Sequence, residues 1–271
     1  MRSASTMTTM AIDRDPHRVG VARVIGEMRA RIDGTFPIAE MARIAGLSPC
    51  QFGRVFARLT GVTPHRFLSA LRLQAAKRLL LTSDRQVTEI SLDVGRDSLG
   101  TFISSFTRYV GLSPSRFRAR SRRRAPMPPP ASRPVPAPGA GRIAGSIDAG
   151  GRVGHVLVAA FAEPIPQGRP HACAMVATPG GFTLAPVPAG RSHLFAVLLP
   201  DAGDDDALAG ALVGSAASRL EAGAEQRVDL RLRPIEVFDP PLVYAFALLM
   251  PATPSHAAAA AGEAFAAARG R

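Results

Sequence analysis

One lysine, two cysteines and no apolar run of membrane length set the first limits on this chain of 271 residues. Lys77 is the sole lysine and stands against 32 arginines. Ala, Gly and Pro are abundant beside that bias, so a gene rich in G and C explains Arg over Lys, and arginine abundance alone says nothing about partners. Cys50 and Cys173 fall in different halves of the chain. That excludes a disulfide framework and fits a reducing cytoplasm. The N-terminus has no apolar core of the kind that marks a signal peptide. The runs 194–199 and 242–250 are shorter than the roughly 20 residues needed to cross a bilayer, so no membrane partner is expected.

Catalytic and metal-binding patterns are scarce as well. The six histidines are His17, His65, His155, His171, His193 and His256. None pairs with cysteines or carboxylates at metal-ligand spacing. Asp204-Asp205-Asp206 lacks the alternation and the glycine of a calcium loop and reads as a solvated loop. Gly150-Gly151 and Gly180-Gly181 are turn signals, not a nucleotide loop. No catalytic residue, metal or cofactor is expected. An enzyme acting through the second half has no motif behind it.

What the chain does have is charge in one half. Residues 1–125 carry 22 Lys and Arg against 9 Asp and Glu, a balance of +13; residues 126–271 carry 11 against 12, a balance of −1. The whole excess therefore lies in one segment, as a phosphate-binding surface requires.

That basic segment holds an internal repeat. GLSPCQFGRVFARLTGVTPHRF (46–67) matches RDSLGTFISSFTRYVGLSPSRF (96–117) at an offset of 50. The matched pairs include Ser48 and Ser98, Phe52 and Phe102, Phe56 and Phe106, Gly61 and Gly111, and Phe67 and Phe117. Upstream, IAEMARIAG (38–46) matches VTEISLDVG (87–95) at an offset of 49. Each copy reads as a helix, a glycine, and a second helix opened by Ser. In the first copy, Ser48, Pro49 and Gln51 make a capping-box sequence. Phe52, Val55, Phe56 and Leu59 then give a buried stripe, leaving Cys50, Gln51, Gly53 and Arg54 outward. A helix near 19–32 precedes the repeat. A long helix over 64–81, with Thr63 as its cap and Phe67, Leu71, Ala75, Leu79 and Leu80 inward, joins the copies. Two such units in a basic segment are the footprint of a reader of two neighbouring stretches of DNA major groove, about 34 Å apart.

From about Val24 to Arg120 the chain resembles the DNA-binding domain of AraC/XylS-type transcription regulators. The resemblance runs through Glu40, Ala42, Gly46, Ser48-Pro49, Phe52, Arg54, Phe56, Gly61, Pro64, RLQAAKRLL (72–80), Glu89-Ile90, Gly95, Ser98, Phe102, Phe106, Gly111, Ser113-Pro114 and Phe117-Arg118. It implies that each second helix presents its N-terminal exposed residues to base edges. Ser48, Pro49, Cys50, Gln51 and Arg54 would then read DNA from the first unit. Ser48 and Gln51 divide between capping and phosphate contact, and Arg54 can bond O6 and N7 of guanine together. From the second unit come Ser98, Leu99, Gly100, Thr101 and Ser104. This copy departs from the family: Ser104 stands where the first copy has Arg54, and Arg96 replaces the usual aromatic after Gly95. The resemblance thus implies unequal readout, with the second unit held mainly through the backbone. The run RARSRRR (118–124) adds Arg122, Arg123 and Arg124 as candidate phosphate contacts. Double-stranded DNA is the expected partner and RNA polymerase a further one, in the cytoplasm at the nucleoid; no effector is identifiable.

Beyond the Pro-rich segment 125–140 the pattern changes to apolar runs of 5–8 residues broken by Gly and Pro. This spacing predicts an all-β sandwich or barrel. The stretch from IAGSID to FAVLLP resembles a prealbumin-like, carboxypeptidase-regulatory β-sandwich. The Ala-rich stretch 204–221 admits a short helix, and 242–250 reads as one more strand. The expected organisation is a disordered 1–17, an all-α double helix-turn-helix DNA-binding domain over 18–120, a basic then Pro-rich linker over 121–140, an all-β sandwich over 141–251 and an Ala-rich tail over 252–271. The expected function is a sequence-specific transcription regulator whose sandwich serves interaction or sensing. An architectural DNA-binding protein of low sequence specificity is the alternative.

Overall fold

The computed structural model describes residues 15–122, 139–198 and 210–244. Two compact units account for them. One holds the residues up to Pro114 together with Pro164–Pro166 and Glu236–Val243, and the other holds the remainder.

In the first unit the helices follow the repeat. α1 (Pro16–Ala30) is opened by Asp15, whose carboxylate accepts from the His17 amide at 3.0 Å. Val21, Val24, Ile25 and Met28 form its buried stripe. Gly20 is needed there because a Cβ would lie 2.8 Å from the Ala45 carbonyl oxygen. α2 (Ile38–Ala45) closes on Gly46 in the left-handed region, φ 69°. α3 (Pro49–Thr60) opens on the Ser48–Gln51 capping box and closes on Gly61. α4 (Pro64–Thr82) follows with 19 residues, about 28 Å at 1.5 Å per residue. α5 (Val87–Asp93) and α6 (Leu99–Val110) then repeat α2 and α3. The last helix, α7 (Pro114–Arg122), starts on the last residue of this stretch of the first unit and otherwise belongs to the second; it ends the described part of the basic half.

Phenylalanines hold the repeat together. Phe52, Phe56, Phe102 and Phe106 are all fully buried. Phe56 meets Phe52 and Phe67 edge-on, at 5.5 and 5.4 Å, which seats α3 against α4. Such pairs add about 0.5–1.5 kcal/mol beyond the area they bury. Two expectations shift here. Thr60, not Val55 or Leu59, completes the buried face of α3; its hydroxyl donates to the Phe56 carbonyl and so loses nothing by burial. α4 buries Phe67, Leu68, Ala70, Leu71, Leu73, Ala76 and Leu80. That set is wider than one stripe, because elements of both repeats pack on it. Thr63 stands at its N-cap without a side-chain cap bond.

The second unit is a β-sandwich. One sheet has the order β4-β1-β7, with β8 also pairing β1, and the other has the order β3-β2-β5-β6-β9. The strands are β1 (Gly141–Asp148), β2 (Gly154–Phe161), β3 (Ala172–Thr178), β4 (Gly180–Val187), β5 (Gly190–Leu198), β6 (Leu212–Leu220), β7 (Glu225–Arg227), β8 (Leu230–Arg231) and β9 (Arg233–Pro234). Ile143, Val156, Val158, Phe182, Leu184, Leu194 and Ala196 fill the core between the sheets. Over the described part of 204–221, β6 replaces the expected helix, pairing with β5 at all nine of its positions; residues 204–209 lie outside the described residues. Ladder pairing on a pleated surface outweighs alanine's local preference. The expected strand over 242–250 also fails in its described part, since residues 242–244 enter no ladder; Ala245 onward lies outside the described residues.

β2 is buried on both faces from Val156 to Phe161. Phe161 packs edge-on against Phe195 at 5.9 Å and Tyr244 at 5.7 Å. His155, His171 and His193 all fall in this unit, but the three do not converge. His193 pairs across from Phe161, and the His171 amide donates to the Ala160 carbonyl, whereas His155 lies at the other end of β2 opposite Ala177.

Candidate nucleic-acid interface

The first candidate reading face is built by the start of α3. Gln51 N donates to Ser48 Oγ at 3.4 Å, while Ser48 N and Oγ donate to Gln51 Oε1 at 3.3 and 2.9 Å. This reciprocal box satisfies orphan amides of the first turn and holds the helix front rigid. Ser48, Pro49, Cys50, Gln51 and Arg54 are all exposed. Arg54 stands one turn in, past residues committed to capping. With Phe52 and Phe56 buried opposite, the core sets which side of α3 faces solvent.

The second reading face starts α6 in the same way. Ser98 Oγ accepts from Thr101 N at 3.4 Å and from Thr101 Oγ1 at 3.2 Å. Ser98, Gly100, Thr101 and Ser104 are exposed and Leu99 is half-buried. Ile103 joins them at 37% exposure. It matches Gly53 of the first copy, and the sequence reading passed over it, although its place outside the Phe102 and Phe106 stripe was the available signal. An exposed isoleucine here suits contact with a thymine methyl. The two faces therefore differ in chemistry: α3 offers a guanidinium, and α6 offers hydroxyls and an apolar side chain.

Arg72 ties the two copies to one frame. From α4, its Nε donates to the Ile32 carbonyl at 3.0 Å and its Nη2 to the Gly34 carbonyl at 2.6 Å. Gly95, in the turn between α5 and α6, has φ 66°, and a Cβ there would sit 2.6 Å from the Asp33 carbonyl oxygen and 3.0 Å from Arg72 Nη2. The loop after α1 and the turn of the second copy thus meet on one side chain. Burial, and then repulsion by Arg96, push the Arg72 guanidinium down from its ordinary value.

Other basic groups are already engaged. Arg31 pairs with Glu40, and this bond holds the Glu40 carboxyl below its ordinary range. Arg85 pairs with Asp93 and, at 3.7 Å, with Glu89. Arg122 is exposed at the end of α7; Arg123 and Arg124 lie outside the described residues. Among the described residues no group of three or more His, Cys, Asp or Glu is placed to hold a metal ion, and no helix is long and apolar enough to cross a membrane.

Comparison with known proteins shows what the repeat is similar to. The family described as "Helix-turn-helix domain" matches residues 41–120. An HTH-type transcriptional regulator of Mycobacterium tuberculosis is 33% identical over 118 residues, covering 44% of this chain and 43% of that protein. The melibiose operon regulatory protein of Escherichia coli K12 is 28% identical over 98 residues, covering 36% and 32%. A solved structure, the DNA-binding domain of the global transcriptional factor AdpA in complex with a target DNA, is 34% identical, covers 38% of this chain and 94% of that one, and gives a TM-score of 0.37. The chain spans less than half the length of these two curated relatives.

Proposed function

We propose, from the premise that the N-terminal half of this chain is an AraC/XylS-type double helix-turn-helix DNA-binding domain, that the protein is a sequence-specific transcription regulator reading two adjacent major-groove segments. The observation that carries this reading is the pair of exposed, capped helix fronts on one repeated frame. Ser48, Pro49, Cys50, Gln51 and Arg54 read the first segment, with Arg54 bonding a guanine. Ser98, Leu99, Gly100, Thr101 and Ser104 hold the second, largely through phosphates. Arg122, Arg123 and Arg124 add phosphate contacts beyond α7. RNA polymerase is the partner through which a regulator of this type acts on a promoter. The sandwich serves interaction or dimerisation, which its filled core favours over a deep ligand pocket.

Selection of genomic fragments by the purified protein, followed by footprinting, tests the reading. Protection of two major-groove segments about one turn apart, with more information in the first, is expected. Diffuse, salt-sensitive protection with no shared motif would favour an architectural protein instead. Equal information content in both segments would overturn the unequal roles of α3 and α6.

A further inference from the structure

The sole lysine marks a second contact system. Lys77 lies on α4, and its ammonium donates to the carbonyls of Leu242 and Val243, at 3.0 and 3.1 Å. Those residues belong to the segment Glu236–Val243, part of the same compact unit as the helices. Both are buried, Val243 completely. A second anchor lies at the other end: the Arg18 guanidinium of α1 stands 4.4 Å over the Phe238 ring. Around Phe238 the segment is braced, with Glu236 N donating to Asp239 Oδ2 at 2.7 Å and Asp239 N to the Glu236 carbonyl at 3.1 Å.

Two physical points make this more than a passing contact. A compact ammonium can direct separate N–H bonds at two successive carbonyls, and at 3.0 and 3.1 Å it does so here. The two carbonyls also have no ladder to bond, so losing the ammonium would cost each its partner.

We propose that residues 236–243 are an intramolecular strap, seated on α1 and α4 through Phe238 and Lys77, that couples the β-sandwich to the geometry of the DNA-reading frame. The strap begins two residues after β9, so the edge of the sandwich and the strap are covalently continuous. Its seats are α1 and the helix joining the two copies, while the fronts of α3 and α6 stay exposed. It therefore braces the frame without covering the reading faces. The consequence for DNA rests on the function proposed above; the seating of the strap does not.

The chain supplies its own probe, because Lys77 is the only side-chain amine. Full-length protein is treated with an acylating reagent over a range of pH, and the pH-independent rate constant of the deprotonated amine at Lys77 is obtained by mass spectrometry and set against that of a free lysine derivative. A seated strap slows Lys77 at least tenfold, and Phe238→Ala, a change at a half-exposed position, restores at least a third of the free rate. A Lys77 rate equal to that of the free derivative, or no change on Phe238→Ala, overturns the strap. Affinity is then measured on a duplex from the genomic selection and on the same duplex with one segment scrambled. Phe238→Ala and Lys77→Met each weaken the two-segment duplex at least threefold and leave the scrambled one within twofold. Equal affinity of variants and parent for the two-segment duplex overturns the coupling. Failure to select any duplex, with Lys77 still protected, would fault the regulator reading and leave the strap standing.

Discussion

Arg72→Met removes two bonds while keeping most of the side chain's volume. Both lost bonds run from a charged donor to a backbone carbonyl, at 3.0 and 2.6 Å. Bonds to charged groups contribute about 1.5–3 kcal/mol each. Arg72 is only half-buried, so water can replace part of each bond, and the lower end applies. The expected loss is about 2–3 kcal/mol. For a domain of 60–100 residues each kcal/mol moves Tm by about 4–8 °C, which gives a fall on the order of 10 °C. Circular dichroism at 222 nm follows the helices selectively, since the second unit is mostly strand. Gly95→Ala attacks the same junction from the other side: its left-handed φ costs roughly 1 kcal/mol, and its Cβ collides with the Asp33 carbonyl oxygen. If Arg72 acts as the shared anchor, both variants also lose more affinity for a two-segment duplex than for one with a scrambled second segment. An Arg72→Met protein that melts within 2 °C of the parent, with the same ratio of affinities, would refute the anchor.

Arg54→Ala is expected to relax selection at one base pair by about 1–3 kcal/mol without altering the others, as read by randomised-site selection. Replacing Arg122, Arg123 and Arg124 by Ala should weaken binding to all sequences alike and lower the salt slope by up to about 3, at roughly 0.9 per phosphate contact; an unchanged slope removes them from the interface. Lys77 gives a pH signature. Loss of solvent around the ammonium pushes it from 10.5 to about 8 in the folded protein, so between about pH 8 and 10.5 the unfolded chain binds the extra proton and stability rises with pH. The full gain would be about 3 kcal/mol, less the share screened by water reaching the partly exposed side chain, and urea titrations at pH 7.5 and 10 should show it in the parent but not in Lys77→Met.

The elements legible in advance were those fixed by neighbours in sequence. Ser48 and Ser98 mark helix starts, Gly61 and Gly111 mark helix ends, and the phenylalanines four apart mark an inward face; each depends on one turn of backbone and its own side chains. The candidate reading residues followed by subtraction, because whatever the phenylalanines do not bury must face out. The errors came where distant segments decide. Residues 212–220 look helical until β5 supplies a ladder over their whole length. Residues 242–244 look like the start of a strand, but Lys77, more than 160 positions away, takes the carbonyls of Leu242 and Val243. Arg72 carries no local mark at all: it sits within a helical run whose pattern would be equally satisfied by any long polar residue, and its importance comes from the loop at 32–34 and the turn at Gly95. Ile103 was readable from the same stripe, since it lies outside the face that Phe102 and Phe106 bury.

The difference between the two reading faces bears on why the frame must be stiff. On the proposed function, once α3 has bound its segment, engagement of α6 is an intramolecular event whose yield depends on the effective concentration that α4 imposes. A face offering hydroxyls and one exposed isoleucine has little binding energy of its own, so it contributes only if its position costs little entropy to fix. A face with several bidentate donors could tolerate a flexible joint; this one cannot. The wide burial of α4, the Arg72 bonds to Ile32 and Gly34, and the close approach of Gly95 to Asp33 all act on that joint. Weak chemistry on α6 and tight anchoring of α4 are thus one arrangement. It follows that loosening the joint should mimic loss of the second segment, whereas strengthening α6, for example by Ser104→Arg, should make binding less sensitive to Arg72→Met.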